Sequence, residues 1–240
     1  MSETSSTIER FVQLLELIGE VGSATPQEMA AQLGVSRSSV QRLLTTLQRR
    51  RFVIRTPTGF GLDTYVRVIS DVALRSLRSA AYNVLREISE TCQETAALYV
   101  ADGDRVVVLE ESFTPDHPMR VRNPAGTRSD LAESPGGLAF LAHARESTRA
   151  RALRRDPERI AAAIARVRET GHAHGPVEPG SLVQELAVPV VDQRGRAVAS
   201  LALLCPQSRA EGLMRHLPML QAGAGRIVEI RRNDDENRLP

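Results

Sequence analysis

Thr25-Pro26-Gln27-Glu28-Met29-Ala30-Ala31-Gln32-Leu33-Gly34-Val35-Ser36-Arg37-Ser38-Ser39-Val40-Gln41-Arg42-Leu43-Leu44 is the stretch that decides the fold of this chain. Thr25 is placed to cap a helix, Pro26 fits its first position, and Glu28 stands where a reciprocal capping residue belongs. Met29, Ala30 and Leu33 give that helix a buried stripe, and Gly34 can take the left-handed conformation that ends it. Ser36 then caps a third helix to about Arg50, with Val40, Leu43, Leu44 and Leu47 as its core face. The opposite face opens with Arg37, Ser38, Ser39, Gln41 and Arg42, hydrogen-bonding side chains at a helix N-terminus. A recognition helix presents such residues to base edges in the major groove.

Outward from this pair, Ile8, Phe11, Leu14, Leu15 and Ile18 recur at helical spacing and predict a first helix ending near Gly22. Downstream, Phe52 to Leu62 reads as two short strands around a Pro/Gly turn, a wing that offers Arg55 and Thr58 to the DNA backbone or minor groove. Thr46 and Arg49, further along the third helix, suit phosphate. Residues 1–63 are therefore expected to form a winged helix-turn-helix domain that binds DNA. The order of elements alone would also fit a small three-helix domain that binds protein.

Charge separates those two readings. All 31 basic residues are arginine, and the net charge is only +2. Between Val35 and Phe60 stand six arginines (Arg37, Arg42, Arg49, Arg50, Arg51, Arg55) and no acid; the rest of the chain has 25 arginines against 29 acids, net −4. A cationic window on a mildly acidic protein is what phosphate neutralisation requires. A solvated, arginine-rich helix face would give the same window with no DNA.

From Thr64 to Leu77 the apolar residues suit a linker helix whose stripe invites pairing between subunits, and Ser79 is expected to interrupt it. Residues 78–231 read as an α+β domain with one antiparallel sheet: a hairpin about Asp102-Gly103, a third strand at Met119–Arg122, and strands near 171–175, 182–190 and 197–204. Ser134-Pro135-Gly136-Gly137 leads into an apolar helix, a last helix is predicted from Ser208 to Arg231, and 232–240 reads as a polar tail. Two cysteines, Cys92 and Cys205, form no metal clasp or disulfide framework, and no apolar run is long enough to span a membrane. A cytoplasmic protein with no membrane partner is expected. His172 and His174 have no third ligand at a metal spacing, Ser134 lacks a hydrolase elbow, and no nucleotide loop or cofactor motif occurs. An enzyme with a vestigial DNA-binding head is accordingly disfavoured.

The order and wording of the chain resemble the IclR family of bacterial transcriptional regulators over about Ser6 to Arg231. The residues that carry the resemblance are Gly34 to Leu44, Asp102-Gly103, Gly126, Ser134 to Ala142, Gly171-His172-Ala173, Ala187-Val188-Pro189-Val190 and Gly195-Arg196. The resemblance implies a homodimer or dimer of dimers that binds double-stranded DNA at an inverted-repeat operator. It also implies a GAF-like second domain that holds a small-molecule effector between the sheet and the loop entering the helix near Gly136. Ser134, Gly136 and Gly137 are then the implied carboxylate cradle. Where family members that sense small organic acids have an Asp, a Cys and Ser residues, this chain has Gly175, Glu185, Ala202 and Leu204. A pocket so altered implies a larger, more apolar effector, with aromatic rings included, or one that offers an amine or hydroxyl to Glu185. The alternative is a degenerate pocket on a ligand-independent DNA-binding protein.

Overall fold

Thr25 closes a capping box as its spacing requires. Its hydroxyl accepts the Glu28 N–H at 3.3 Å, and the Glu28 carboxylate accepts the Thr25 N–H at 2.7 Å. The computed structural model describes residues 6–114 and 119–236. They divide after Leu74 into two units.

The first unit contains α1 (Ser6–Val21), α2 (Pro26–Leu33), α3 (Arg37–Arg49) and the hairpin β1 (Val53–Thr56) and β2 (Gly59–Leu62). Its core is Leu14, Ile18, Met29, Val40, Leu44, Leu47, Val53 and Phe60, with Phe11, Leu15, Ala30, Leu33 and Leu43 of the expected inward positions only partly buried against it. Ile8 and Val12 remain exposed on the outer side of α1. The hairpin closes on the connection between α1 and α2 through Ala24, whose N–H and C=O pair with Phe60. Gly59 permits this approach: at φ 145° it leaves no room for a side chain, since a Cβ would lie 2.3 Å from the Ala24 carbonyl oxygen.

Helix α4 (Thr64–Cys92) is continuous, so the expected break at Ser79 is absent. The reason is local. Ser79 is exposed, where serine costs a helix little, while Leu77, Ala80, Ala81, Val84, Leu85 and Ile88 maintain one buried stripe through it.

The second unit is built on a six-stranded antiparallel sheet in the order β5-β4-β3-β8-β7-β6. Its strands are β3 (Thr95–Asp102), β4 (Arg105–Ser112), β5 (Arg128–Asp130), β6 (Ala173–Pro176), β7 (Val183–Val191) and β8 (Ala197–Pro206). One face carries α5 (Pro135–Ala142), α6 (Glu146–Leu153) and α7 (Pro157–Thr170). On the other, α8 (Leu217–Glu236) packs closely enough that a Cβ on Gly223 would touch Ile88, Val84 and Leu201.

Three boundaries differ from the sequence reading. Met119–Arg122 forms no strand; the third strand is β5, which pairs with Arg105–Val107 of β4. Side chains fasten that segment instead: Arg120 and Arg122 lie over the Phe113 ring, and Glu111 accepts from Arg122 and from the Asn123 N–H. The last helix is preceded by a 3₁₀ segment, Gln207–His216, because Pro218 cannot continue an α-helix from that turn. It also runs to Glu236, so the first half of the expected polar tail is helical, and 237–240 lie outside the described residues.

Candidate functional site

The third helix presents the expected face. Ser36 caps α3 by accepting the Ser39 N–H at 3.2 Å, and no acid stands in the first turn to oppose an incoming phosphate. Arg37, Ser38, Gln41 and Arg42 are exposed, while Ser39 is half-buried with its hydroxyl against Ser36 Oγ at 2.9 Å. Ser38, Arg42, Thr45 and Arg49 recur one helical turn apart and share one exposed stripe. Thr46 spends its hydroxyl proton on the Arg42 carbonyl, leaving its oxygen lone pairs outward. On the wing, Arg55 lies over the Phe60 ring at 5.9 Å and Thr58 donates to Ser23.

The arginines of the two units are used differently. In the second, Arg78, Arg122, Arg128, Arg155, Arg159, Arg209 and Arg226 each pair with a carboxylate. In the first, Arg37, Arg42, Arg49, Arg50 and Arg55 make no ion pair among the described residues; Arg51 alone approaches an acid, Asp63, at 3.9 Å. Arg51 adopts a left-handed backbone (φ 64°) just after α3 and lies over Tyr65, a structural use that its place in the charge window did not reveal.

In the second unit, strand register gathers the implied effector residues on one face. Gly175, Glu185, Leu204 and Thr95 form one row across β6, β7, β8 and β3; Ala173, Ala187, Ala202 and Ala97 form the next. This alanine floor lets the N-terminus of α5 approach the sheet. A Cβ on Gly137 would lie 2.3 Å from the Leu131 carbonyl oxygen, and one on Gly136 would lie 3.0 Å from the Tyr99 ring and 3.1 Å from Glu185 Oε1.

The hydrogen bonds at this helix end are filled from within the chain. Ser134 caps α5, accepting the Gly137 N–H at 3.1 Å and donating to the Asp130 carbonyl at 2.7 Å. The Gly136 N–H donates to Glu185 Oε2 at 3.3 Å, while Ser200 donates to the Gly136 carbonyl at 2.7 Å. Glu185 is 1% exposed, and its Oε1 has no hydrogen-bond partner. Burial pushes its carboxyl up to about 7, against the lowering influence of the nearby Tyr99 hydroxyl and the Gly136 N–H. Tyr99 is itself buried, accepts from Asn123 Nδ2 at 2.7 Å, and is held well above the ordinary phenol range by burial and by Glu185.

Tyr99, Asn123 and Ser200 were not singled out from the sequence. Ser200 shares the alternation of Ala202 and Leu204, so strand parity could have found it. Tyr99 needed the β3-β8 pairing. Two grooves of about 350 and 520 Å³ lie elsewhere, lined by Val190, Val198, Ile227 and Val228 and by Val188, Pro189, Gln221 and Ala224. Cys92 and Cys205 are buried, with thiols pushed up to about 11 by burial, as packing residues would be. Among the described residues no group of side chains could hold a metal, and no helix is long and apolar enough to cross a membrane.

Comparison with known proteins supplies the family. The model described as "IclR helix-turn-helix domain" matches residues 7–57, and "Bacterial transcriptional regulator IclR C-terminal" matches 70–228. The chain is 31% identical over 218 residues to the HTH-type transcriptional regulator BhcR of Paracoccus denitrificans, covering 84% of this chain and 78% of that one. It is 27% identical over 221 residues to the transcriptional repressor IclR of Escherichia coli, covering 85% and 81%. An IclR homolog from Microbacterium hydrocarbonoxydans, solved with 4-hydroxybenzoate, shares the fold with a TM-score of 0.59 at 22% identity, covering 95% of this chain and all of that one. With a DNA-binding helix-turn-helix domain followed by an effector-binding domain, the chain belongs to the IclR family of bacterial transcriptional regulators.

Proposed function

We propose that Arg37, Ser38, Gln41 and Arg42 read base edges, and that Arg49, Arg55, Thr46 and Thr58 grip the backbone of a short inverted-repeat operator. Ser39 sits at the same helix end and orders the cap. The observation that carries this reading is the set of exposed arginines in the first unit that have no carboxylate partner among the described residues, against a second unit whose arginines are widely paired. Uncompensated guanidiniums on a recognition helix are available to phosphate and guanine. The protein acts in the cytoplasm as a homodimer or dimer of dimers, without catalysing a reaction.

The second domain responds to an effector larger and more apolar than a two- or three-carbon oxyacid. Gly175, Ala202 and Leu204 supply apolar surface beside Ser134, Gly136, Gly137 and Glu185. The 4-hydroxybenzoate bound by the Microbacterium homolog makes an aromatic ring a suitable size. Effector binding shifts operator affinity by favouring one arrangement of the heads.

The test is fluorescence anisotropy with a duplex from upstream of the protein's own gene. Arg49 and Arg55 of two heads make four cationic phosphate contacts, which would weaken binding about a hundredfold between 50 and 200 mM salt. A flat salt profile with that duplex would overturn the DNA reading.

A further inference from the structure

Resting on the reading of this site as the effector site, we propose that its ligand is a cationic amine on an apolar body, with Glu185 as counter-ion. The N-terminus of an eight-residue helix, α5, would ordinarily favour an anion. Here the chain supplies that anion itself. Glu185 Oε2 already accepts the Gly136 N–H, and the Ser134 hydroxyl is spent on the cap. A ligand carboxylate would have to displace Glu185 or, wherever Glu185 is ionised, lie against it as a like charge.

What the carboxylate lacks is a donor on Oε1, to which the Tyr99 hydroxyl beside it makes no hydrogen bond, and a positive charge. Glu185 Oε1 is buried without a partner, and among the described residues no arginine or histidine pairs with this carboxylate. An ammonium brings both, because it carries three donors and no acceptor. A neutral hydroxyl would fill Oε1 but leave the charge uncompensated. There is room on the flank: the position paired with Glu185 at the sheet edge is Gly175, where a Cβ would meet nothing within 4 Å. Leu204, Ala187, Ala202 and Leu131 provide the apolar surroundings for the rest of the molecule.

The experiment is calorimetric titration of the full chain with 2-phenylethylamine, and with 3-phenylpropionate as a carboxylate of similar shape. The amine is expected to bind and the carboxylate to bind at least about tenfold more weakly. Glu185→Gln should weaken the amine by about tenfold or more. Equal affinities, no amine binding, or an undiminished amine in a cooperatively melting Glu185→Gln variant overturn the proposal. A second variant, Glu185→Ala, vacates the Gly136 N–H, so propionate should raise its melting temperature and leave the wild type unmoved. Propionate stabilising the wild type equally also overturns the proposal. Operator affinity measured alongside separates the two readings. Amine binding that leaves operator affinity unchanged sinks effector control and keeps the amine site. Operator binding that responds to carboxylates while the amine is inert does the reverse.

Discussion

Glu185 Oε2 lies 3.3 Å from the Gly136 nitrogen, so a carboxylate carried by β7, one strand in from the sheet edge, occupies the open end of α5. The helix dipole and one N–H stabilise the charge, but burial in an apolar layer opposes it, and the outcome is a carboxyl pushed up to about 7. The second oxygen remains without a donor. A buried acceptor left unpaired costs about 1–3 kcal/mol. Such a cost at a helix end is an opening for a ligand to recover stability.

Stability should fall as pH rises toward neutrality. Glu185 has a folded pKa of about 7 against an ordinary value of 4.5, so the native state holds the proton more tightly. Its contribution is fully present below about pH 4.5 and is lost as pH rises through about 7, a loss of up to about 3 kcal/mol. The groups facing it are the Tyr99 hydroxyl from β3, with Glu111 of β4 beyond it, and the Gly136 N–H from α5. Melting temperatures between pH 5 and 8 should drop for the wild type. Glu185→Gln should flatten that part of the profile, and parallel profiles would assign the drop to other groups.

Gly137→Ala should be among the most destabilising single-methyl additions in the second unit. The new Cβ would meet backbone, the Leu131 carbonyl at 2.3 Å, which cannot swing aside as a side chain does. Overpacking of this kind costs about 1–3 kcal/mol or more. Chemical denaturation should show a lower midpoint with an unchanged slope. Gly175→Ala, whose Cβ meets nothing within 4 Å, has no such clash and tests the same site against its strained φ of 156° alone.

The wing makes a parallel case. Gly59→Ala would drive a Cβ to 2.3 Å from the Ala24 carbonyl and strain a φ of 145°. The Ala24–Phe60 bridge would have to open, moving Arg55 and Thr58, which the hairpin positions. Operator affinity should fall together with thermal stability; unchanged affinity would show that the wing does not touch DNA.

The parts legible in the sequence are those fixed by neighbours along the chain. Thr25, Glu28, Gly34 and Ser36 act within a few residues of themselves, so caps and helix ends follow from spacing. The parts that escaped depend on partners far along the chain. Met119–Arg122 is fastened by Phe113 and Glu111 rather than by a ladder, and the third strand is instead Arg128–Asp130, paired with Arg105–Val107. Glu185 stood out as a departure from the family pattern, but its seat on Gly136, 49 residues away, required the helix and sheet to be placed. Tyr99 was missed for the same reason: its approach to Glu185 crosses the short alanine side chains between them. The continuity of α4 rests on an apolar stripe that does not pause at Ser79, where the local signal alone suggests a break.

Arg37 and Arg49 should separate specificity from affinity on the operator. They stand at opposite ends of α3, about 18 Å apart along its axis at 1.5 Å per residue, so a single base cannot engage both. On the proposed reading Arg37, in the first turn, meets a base edge: Arg37→Ala should cost about 1–3 kcal/mol on the operator and much less on unrelated DNA. On the same reading Arg49, in the last turn, meets phosphate: Arg49→Ala should weaken all duplexes alike and reduce the logarithmic salt slope by about one. Anisotropy titrations of both variants, on operator and scrambled duplexes at several salt concentrations, give the four affinities and two slopes. Equal losses for Arg37→Ala on both duplexes would move it from base reading to backbone contact. A salt slope untouched by Arg49→Ala would remove Arg49 from the interface.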